Sequence, residues 1–301
     1  MTPTRQIVKA VIPVAGMGTR LLPATKSQPK EMLPVGRRPV VQYVVEEMEA
    51  AGLDQILFVT GRKKTAIEDH FDADPELVRL LSAGDSYTLL EELEYTETDA
   101  TFFYTRQSTP LGLADAVRHA EKFVGDEHFV VSLGDSIITN ADGASFVSRL
   151  VEAHLASGAG CTIALEQVSP DDAYRYGIVE PVAGADLSGP FEIESLVEKP
   201  AYGAAPSNLA IAARYVFDPA IFEAIRRTAP DRKGELQLTD SIRLLKQLGH
   251  LIYGLCLRPG ERRYDIGNFE SYFTAFIDFA LADEKYGYMV RQYVKRKARE
   301  L

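Results

Sequence analysis

The sequence predicts an α/β fold, a doubly wound mixed sheet with an inserted antiparallel layer and a helical C-terminal segment. Short apolar runs alternate with segments of helical periodicity, the first run ends in a glycine-rich break, and strand-like runs follow one another from Tyr176 onward. Lys9 to Val14 (KAVIPV) is nearly all apolar and reads as a central parallel strand buried on both faces. A proline-containing loop follows to Pro39, after which Val40, Val41, Val44, Val45 and Met48 recur at helical spacing until Gly52 stops the helix. The alternation repeats with Gln55 to Thr60 as strand, Lys63 to Phe71 as helix, Thr101 to Thr105 as strand, Leu113 to Phe123 as helix and Phe129 to Leu133 as strand. A helix ending near Ala156 and a strand from Cys161 to Val168 continue it. Three successive strands, Tyr176 to Pro181, Phe191 to Glu198 and Leu209 to Phe217, predict the antiparallel insertion. Helices from Pro219 to Thr228 and from Leu238 to Leu248, a strand from Leu251 to Leu257 and helices after Asn268 complete the chain. No repeat or Pro/Ser/Gly-rich linker divides it, so residues 1–301 read as one domain, with 268–301 as its helical tail.

The 301 residues are 46% hydrophobic and 25% charged, an ordinary globular composition that excludes disordered, collagen-like and disulfide-scaffold classes. Lys and Arg total 33 against 43 acidic residues, a net charge of −10, so long-range attraction to nucleic acid is not expected and an anionic ligand must be held locally. No apolar stretch approaches the roughly 18 residues of a membrane-spanning helix. Cys161 and Cys256 lie far apart in apolar surroundings and read as buried reduced thiols. The expectation is a cytoplasmic protein with no nucleic-acid or membrane partner and no structural metal. The basic run Arg291, Lys295, Arg296, Lys297 and Arg299 reads as a solvated helix face. Tyr272, Phe273, Phe276, Ile277, Ala280 and Leu281, followed by Tyr286, Tyr288, Met289 and Tyr293, give the tail more apolar surface than an extension normally leaves in water. A homodimer or homotetramer joined through 268–301 is expected.

Directly after the first strand stands Ala15-Gly16-Met17-Gly18-Thr19-Arg20, then Pro23, Thr25, Lys26, Pro29, Lys30 and Glu31. A dinucleotide fingerprint requires a third glycine where Leu21 stands and a helix where Pro23 and Pro29 prolong the loop. A P-loop requires a closing glycine-lysine-serine/threonine, which this stretch lacks. What remains is a glycine-rich turn whose backbone N–H groups can cradle phosphate oxygens, with Arg20, Lys26 and Lys30 to neutralise them, which suits a nucleoside triphosphate. His70, His119, His128, His154 and His250 show no metal-ligand spacing and no recognisable catalytic partnership.

The string GMGTRLLPATKSQPKEMLP resembles the signature of the sugar-1-phosphate nucleotidyltransferases, a Rossmann-like fold. Further matches follow in the family's order: Gln107 with Leu111-Gly112-Leu113, Leu133-Gly134-Asp135, Tyr176-Gly177, Glu198-Lys199-Pro200, Ser207-Asn208, Gly234 to Asp240 (GELQLTD) and Asp265-Ile266-Gly267-Asn268. Within the family, PATKSQPKEMLPV, EKPAYGAAPSNLA and GELQLTD are similar to the bacterial UTP–glucose-1-phosphate uridylyltransferase branch. Ala114-Asp115-Ala116-Val117 and Leu133-Gly134-Asp135-Ser136 depart from that branch's glycine-histidine-alanine-valine and leucine-proline-aspartate. These versions look more like thymidylyl- and adenylyltransferase relatives.

The resemblance implies transfer of a nucleotidyl group from a nucleoside triphosphate, UTP first, to a sugar 1-phosphate, glucose 1-phosphate first, with release of pyrophosphate. The same chemistry with dTTP, ATP or GTP, or with another sugar or cyclitol phosphate, stays open. So does a non-catalytic regulatory subunit, although Arg20, Lys30, Asp135 and Asp265 are all present. A phosphate monoester is already ionised at neutral pH, so no general base is required. By resemblance, Ala15, Gly16, Gly18, Thr19, Arg20, Lys30 and Glu31 meet the nucleotide, and Asp135 and Asp265 hold Mg2+. Lys199 holds the sugar phosphate, while Glu198, Gly177 and Asn208 contact the sugar. Gln107 and Gly112 contact the base; the Gln107 amide matches the N3–H and O4 edge of uracil, and flipped it matches adenine too. Adjacent strand residues point to opposite faces, so Glu198 and Lys199 can share a pocket only at a strand end or distortion.

Overall fold

The computed structural model describes residues 6–84, 87–140 and 145–300. The strands are β1 (Lys9–Pro13), β2 (Pro34–Val35), β3 (Arg38–Pro39), β4 (Gln55–Thr60), β5 (Thr101–Arg106), β6 (Phe129–Ser132), β7 (Ser136–Thr139), β8 (Cys161–Gln167), β9 (Gly177–Pro181), β10 (Phe191–Glu198), β11 (Leu209–Phe217), β12 (Ile252–Cys256) and β13 (Arg262–Asp265). The helices are α1 (Val40–Ala50), α2 (Thr65–Phe71), α3 (Pro75–Ala83), α4 (Tyr87–Leu90), α5 (Leu113–Arg118), α6 (Glu121–Val124), α7 (Phe146–Ser157), α8 (Ile221–Arg227), α9 (Leu238–Gln247), α10 (Phe269–Ala282) and α11 (Gly287–Lys297). None among the described residues is long and apolar enough to cross a membrane.

Nine strands form one mixed sheet in the order β5-β4-β1-β6-β11-β8-β12-β10-β9. The antiparallel insertion extends this same sheet: β10 pairs antiparallel with β12 and β9, and β9 pairs again with β11. β1 explains why a central strand is apolar throughout. Its Ala10 and Ile12 enter the core on one face with Phe58, Val44 and Phe146, while Val11 enters the core on the other with Phe129, Val117 and Leu57.

β5, β4, β1 and β6 are mutually parallel, so their carboxyl ends open on one edge. A doubly wound sheet places its ligand crevice at that edge. A second, two-stranded sheet pairs β7 with β13 antiparallel and sets Asp265 opposite Ser136. Sequence periodicity missed this ribbon because both strands are only four residues long. It also missed the helices in 75–96, whose residues are mostly exposed, the apolar Leu77, Val78 and Leu80 of α3 included. The helix expected from Leu113 to Phe123 breaks at residues 119–120 into α5 and α6.

In the tail, Asn268 caps α10, its Oδ1 accepting from the Ser271 N–H at 3.1 Å. One face, with Tyr272, Ala275 and Phe279, packs on Val35, Val40, Ile137 and Ile266. Phe273, Ile277, Tyr288 and Met289 remain exposed, and residues 291–300 are exposed throughout. The two cysteines are unpaired.

Candidate active site

The loop after β1 passes through three short 3-10 turns, Thr19–Leu21, Ala24–Lys26 and Lys30–Met32. Gly18 takes the left-handed conformation at φ 65°, and its carbonyl accepts from Thr25 Oγ1 at 2.7 Å, folding the loop back on itself. This loop and the ends of β4 and β5 enclose a cavity of about 380 Å³ whose walls include Ala15, Gly16, Gly61, Lys63, Lys64 and Gln107. Gly61 is required because a Cβ there would stand 2.9 Å from the Ala15 carbonyl oxygen. Gly112, at φ 100°, lets the 111–114 segment lie on the GELQLTD loop, where a Cβ would fall 2.5 Å from Leu236 O. The Gln107 amide nitrogen donates to Gly112 O at 3.1 Å and to Asp115 Oδ2 at 2.8 Å.

A second cavity, of about 280 Å³, is lined by Arg20, Asp135, Gly177, Glu198, Lys199 and Asp265. β10 ends at Glu198, and Lys199 turns to φ 44°, so these adjacent residues both face the cavity. Thr239 Oγ1 donates to Glu198 Oε2 at 2.8 Å, and Lys199 Nζ lies 3.3 Å from Glu198 Oε1. Gly177 leaves room for the glutamate, since a Cβ would lie 3.1 Å from Glu198 Oε2.

Lys30 links the walls of the two cavities, its Nζ bonded to Asp135 Oδ2 of the second and close to Gly16 of the first. Burial alone would lower the Lys30 ammonium, but the charges of Asp135 and Glu31 outweigh it and hold it above its ordinary value. Burial would raise Asp135, yet Lys30's charge and hydrogen bond keep its carboxyl low. Asp265 is raised, first by burial and then by the negative charge of Asp135. The Ile266 N–H donates to Asp135 O at 2.8 Å, tying the two aspartate loops together. Among the described residues no group of three or more His, Cys, Asp or Glu could hold a metal ion. Two mutually repelling, oxygen-only carboxylates nevertheless fit magnesium, which takes one or two protein carboxylates and completes its shell with phosphate and water.

Ala15, Gly16, Gln107, Arg20, Asp135, Gly177, Glu198, Lys199 and Asp265 therefore line one cavity or the other. Gly18 and Thr19 shape the loop, and Gly112 acts through its carbonyl on Gln107. Glu31 lies behind the wall, buried, with its carboxylate 2.7 Å from Lys64 Nζ, and burial raises it despite that partner. Asn208 precedes β11, and its carbonyl accepts from the Val168 N–H at 3.0 Å; its side chain is not among the cavity walls. Sequence reasoning overlooked Gly61, Lys63 and Lys64, signalled by a glycine and three basic residues just past a strand. It also overlooked Thr239, inside a motif already recognised, and Arg263, which is paired with Glu166 and 3.9 Å from Asp265.

Two cavities whose walls are joined by a lysine, with two carboxylates lining the second, at the carboxyl edge of a doubly wound sheet, suit transfer of a phosphate-linked group between two anionic substrates. That is the class of protein the fold and site define. The chain belongs to the nucleotidyl transferase family, whose pattern matches residues 9–280. It is 41% identical to the UTP–glucose-1-phosphate uridylyltransferase of Bacillus subtilis, over 93% of this chain and 94% of that protein. It is also 41% identical to UTP–glucose-1-phosphate uridylyltransferase 2 of Staphylococcus saprophyticus, over 97% of this chain and 98% of that one. Its fold is similar to UTP-bound UGPase from Acinetobacter baumannii, with TM-score 0.89 and 36% identity over 96% of this chain and 99% of that chain. A UDP-glucose pyrophosphorylase complexed with UDP-glucose aligns at TM-score 0.82 and 32% identity, over 92% of this chain and all (100%) of that chain.

Proposed function

We propose that this protein transfers the uridylyl group of UTP to glucose 1-phosphate, yielding UDP-glucose and pyrophosphate. The observation that carries the reading is Lys30, which lies beside Gly16 in the wall of the first cavity and is bonded to Asp135 in the wall of the second; the substrates are supported by the names of relatives aligned over nearly the whole chain. A phosphate oxygen of the sugar phosphate attacks the α-phosphorus of UTP, and the bond from that phosphorus to the bridging oxygen of pyrophosphate breaks. The nucleophile is already ionised, so the protein's task is to align and neutralise two polyanions. Arg20 and Lys30 face the triphosphate and Lys199 the sugar phosphate, while Glu198, held by Thr239, accepts from sugar hydroxyls. Gly16 lets backbone approach the phosphates, and Gln107 meets the base. Asp135 and Asp265 would hold Mg2+, which when bound supplies charge neutralisation at the phosphates.

The exposed apolar residues of α10 and α11 support assembly of two or four copies through 268–301, and light scattering returning 33 kDa at micromolar concentration would reject it. Unpaired Cys161 and Cys256 support action in the cytoplasm. The activity itself is tested by magnesium-dependent pyrophosphate release from UTP, dTTP, ATP and GTP with glucose 1-phosphate. UTP should lead; a clear purine preference would overturn the base assignment.

A further inference from the structure

A glutamine at a base site is ambiguous, because its two ends differ only by rotation of the amide. In this protein the surroundings remove the ambiguity. Gln107 directly follows β5, is 5% exposed, and its backbone N–H is fixed to Thr60 O at 2.9 Å. The end of its side chain that turns inward meets Gly112 O at 3.1 Å and Asp115 Oδ2 at 2.8 Å. A carbonyl and a carboxylate can only accept, so the inward atom must be the NH2. With the amide reversed, its oxygen would face Gly112 O, which keeps only the Ala116 N–H at 3.2 Å, and Asp115 Oδ2, so two donated bonds would be replaced by two contacts between acceptors in a buried site. Asp115 is itself anchored: it lies in the first turn of α5, is 1% exposed, and its other oxygen accepts from Arg118. Both amide protons are thereby engaged, and Oε1 accepts nothing from the described residues.

We propose that Asp115 is a positioning residue for base recognition: it locks Gln107 so that the nucleotide cavity is offered an acceptor and no donor. Such a site takes the pyrimidine that carries an N3–H, uracil, and refuses cytosine, whose N3 is itself an acceptor. The inference rests on the uridylyl reading and deepens it, because it names the atom that separates the two pyrimidine ribonucleotides. It also gives a reason for an aspartate in Ala114-Asp115-Ala116-Val117, where a side chain that could donate would leave the glutamine free to turn over.

The test has two arms. In the first, the unaltered protein is given UTP, 3-methyl-UTP, 4-thio-UTP and CTP with glucose 1-phosphate. Failure to turn over UTP would remove the uridylyl reading itself. With UTP active, kcat/KM should fall at least about a hundredfold for 3-methyl-UTP and CTP, and by no more than several-fold for 4-thio-UTP, because Gln107 donates nothing to O4. Turnover of 3-methyl-UTP, or equal losses with 3-methyl-UTP and 4-thio-UTP, would overturn the proposal. In the second arm, Asp115→Asn supplies a side-chain amide that can donate, so Gln107 can adopt either orientation. The UTP-to-CTP ratio of kcat/KM should then drop at least about tenfold, a shift that a purely structural lesion would not produce. A ratio within twofold of the unaltered protein, in a variant of unchanged circular dichroism, would overturn it. Should the variant fail to fold, the analogue arm decides alone.

Discussion

Replacing Glu47 with leucine should destabilise this protein more than most single core substitutions. Arg214 on β11 is 0% exposed, and its guanidinium contacts Glu47 Oε2 through Nε at 3.0 Å and through a terminal nitrogen at 2.6 Å. Its other bonds go to Ala213 O at 3.2 Å and Ser136 O at 2.7 Å. Leucine would leave that cation buried without a counter-charge, a loss of about 3–5 kcal/mol. At about 2 °C per kcal/mol for a chain of this size, the unfolding midpoint should fall by about 6–10 °C. Burial pushes the Glu47 carboxyl above its ordinary value even with Arg214 beside it, so attraction within the pair does not fully offset the desolvation of Glu47. The double variant Glu47→Leu, Arg214→Met should therefore recover most of the loss. Ser136 follows Asp135, and both Ser136 and Ala213, at φ 62°, line the second cavity, so the single variant should also lower kcat. Thermal unfolding by circular dichroism reads the first effect and pyrophosphate release the second. A midpoint shift under about 2 °C, or a double variant no more stable than the single, would refute the reasoning.

Asp135→Asn removes the charge that faces Lys30 in the second cavity and should lower kcat by at least about a hundredfold with little change in unfolding midpoint; near-normal turnover would remove Asp135 from the chemistry. Gly112→Ala places a Cβ 2.5 Å from Leu236 O at φ 100° and should cut kcat/KM for UTP at least about tenfold, with a smaller effect on KM for glucose 1-phosphate, in steady-state assays varying each substrate. Burial and then the neighbouring His128 hold the His154 imidazole down at about 4. Because that folded value lies below the ordinary 6.5, the unfolded chain takes up the proton first, so stability is intact above pH 6.5 and is lost as pH falls toward 4, by at most about 3 kcal/mol. Urea unfolding at pH 7 and pH 5 measures this, and His154→Gln should flatten the slope; an unchanged slope would count against it.

Strong local signals were legible in the sequence. The limits expected for β4 and β10 match the structure to the residue, because each is bounded by a turn or a charged residue and fills a continuous or alternating apolar register. The glycine-rich loop after β1 was equally plain, since its glycines and prolines act through their own backbone. The ribbon of β7 and β13 was not legible: four residues carry too little periodicity, and what stabilises each strand is its partner, more than 120 residues away in Arg262↔Thr139. The expected pairing of Asp135 with Asp265 therefore came from family likeness, whereas its physical basis is that ribbon.

Composition, apolar period and glycine placement by themselves determined an α/β sheet with a glycine-rich loop at a strand end, because these are properties of consecutive residues. Tertiary structure alone decided which charges are engaged and which face the cavities. It placed Glu31 against Lys64, turned Lys199 beside Glu198, and spent both protons of Gln107 on Gly112 and Asp115. Each outcome depends on what burial removes from water and on the partner that a distant segment brings within about 3 Å, and a hydrogen bond's worth is set by those two conditions.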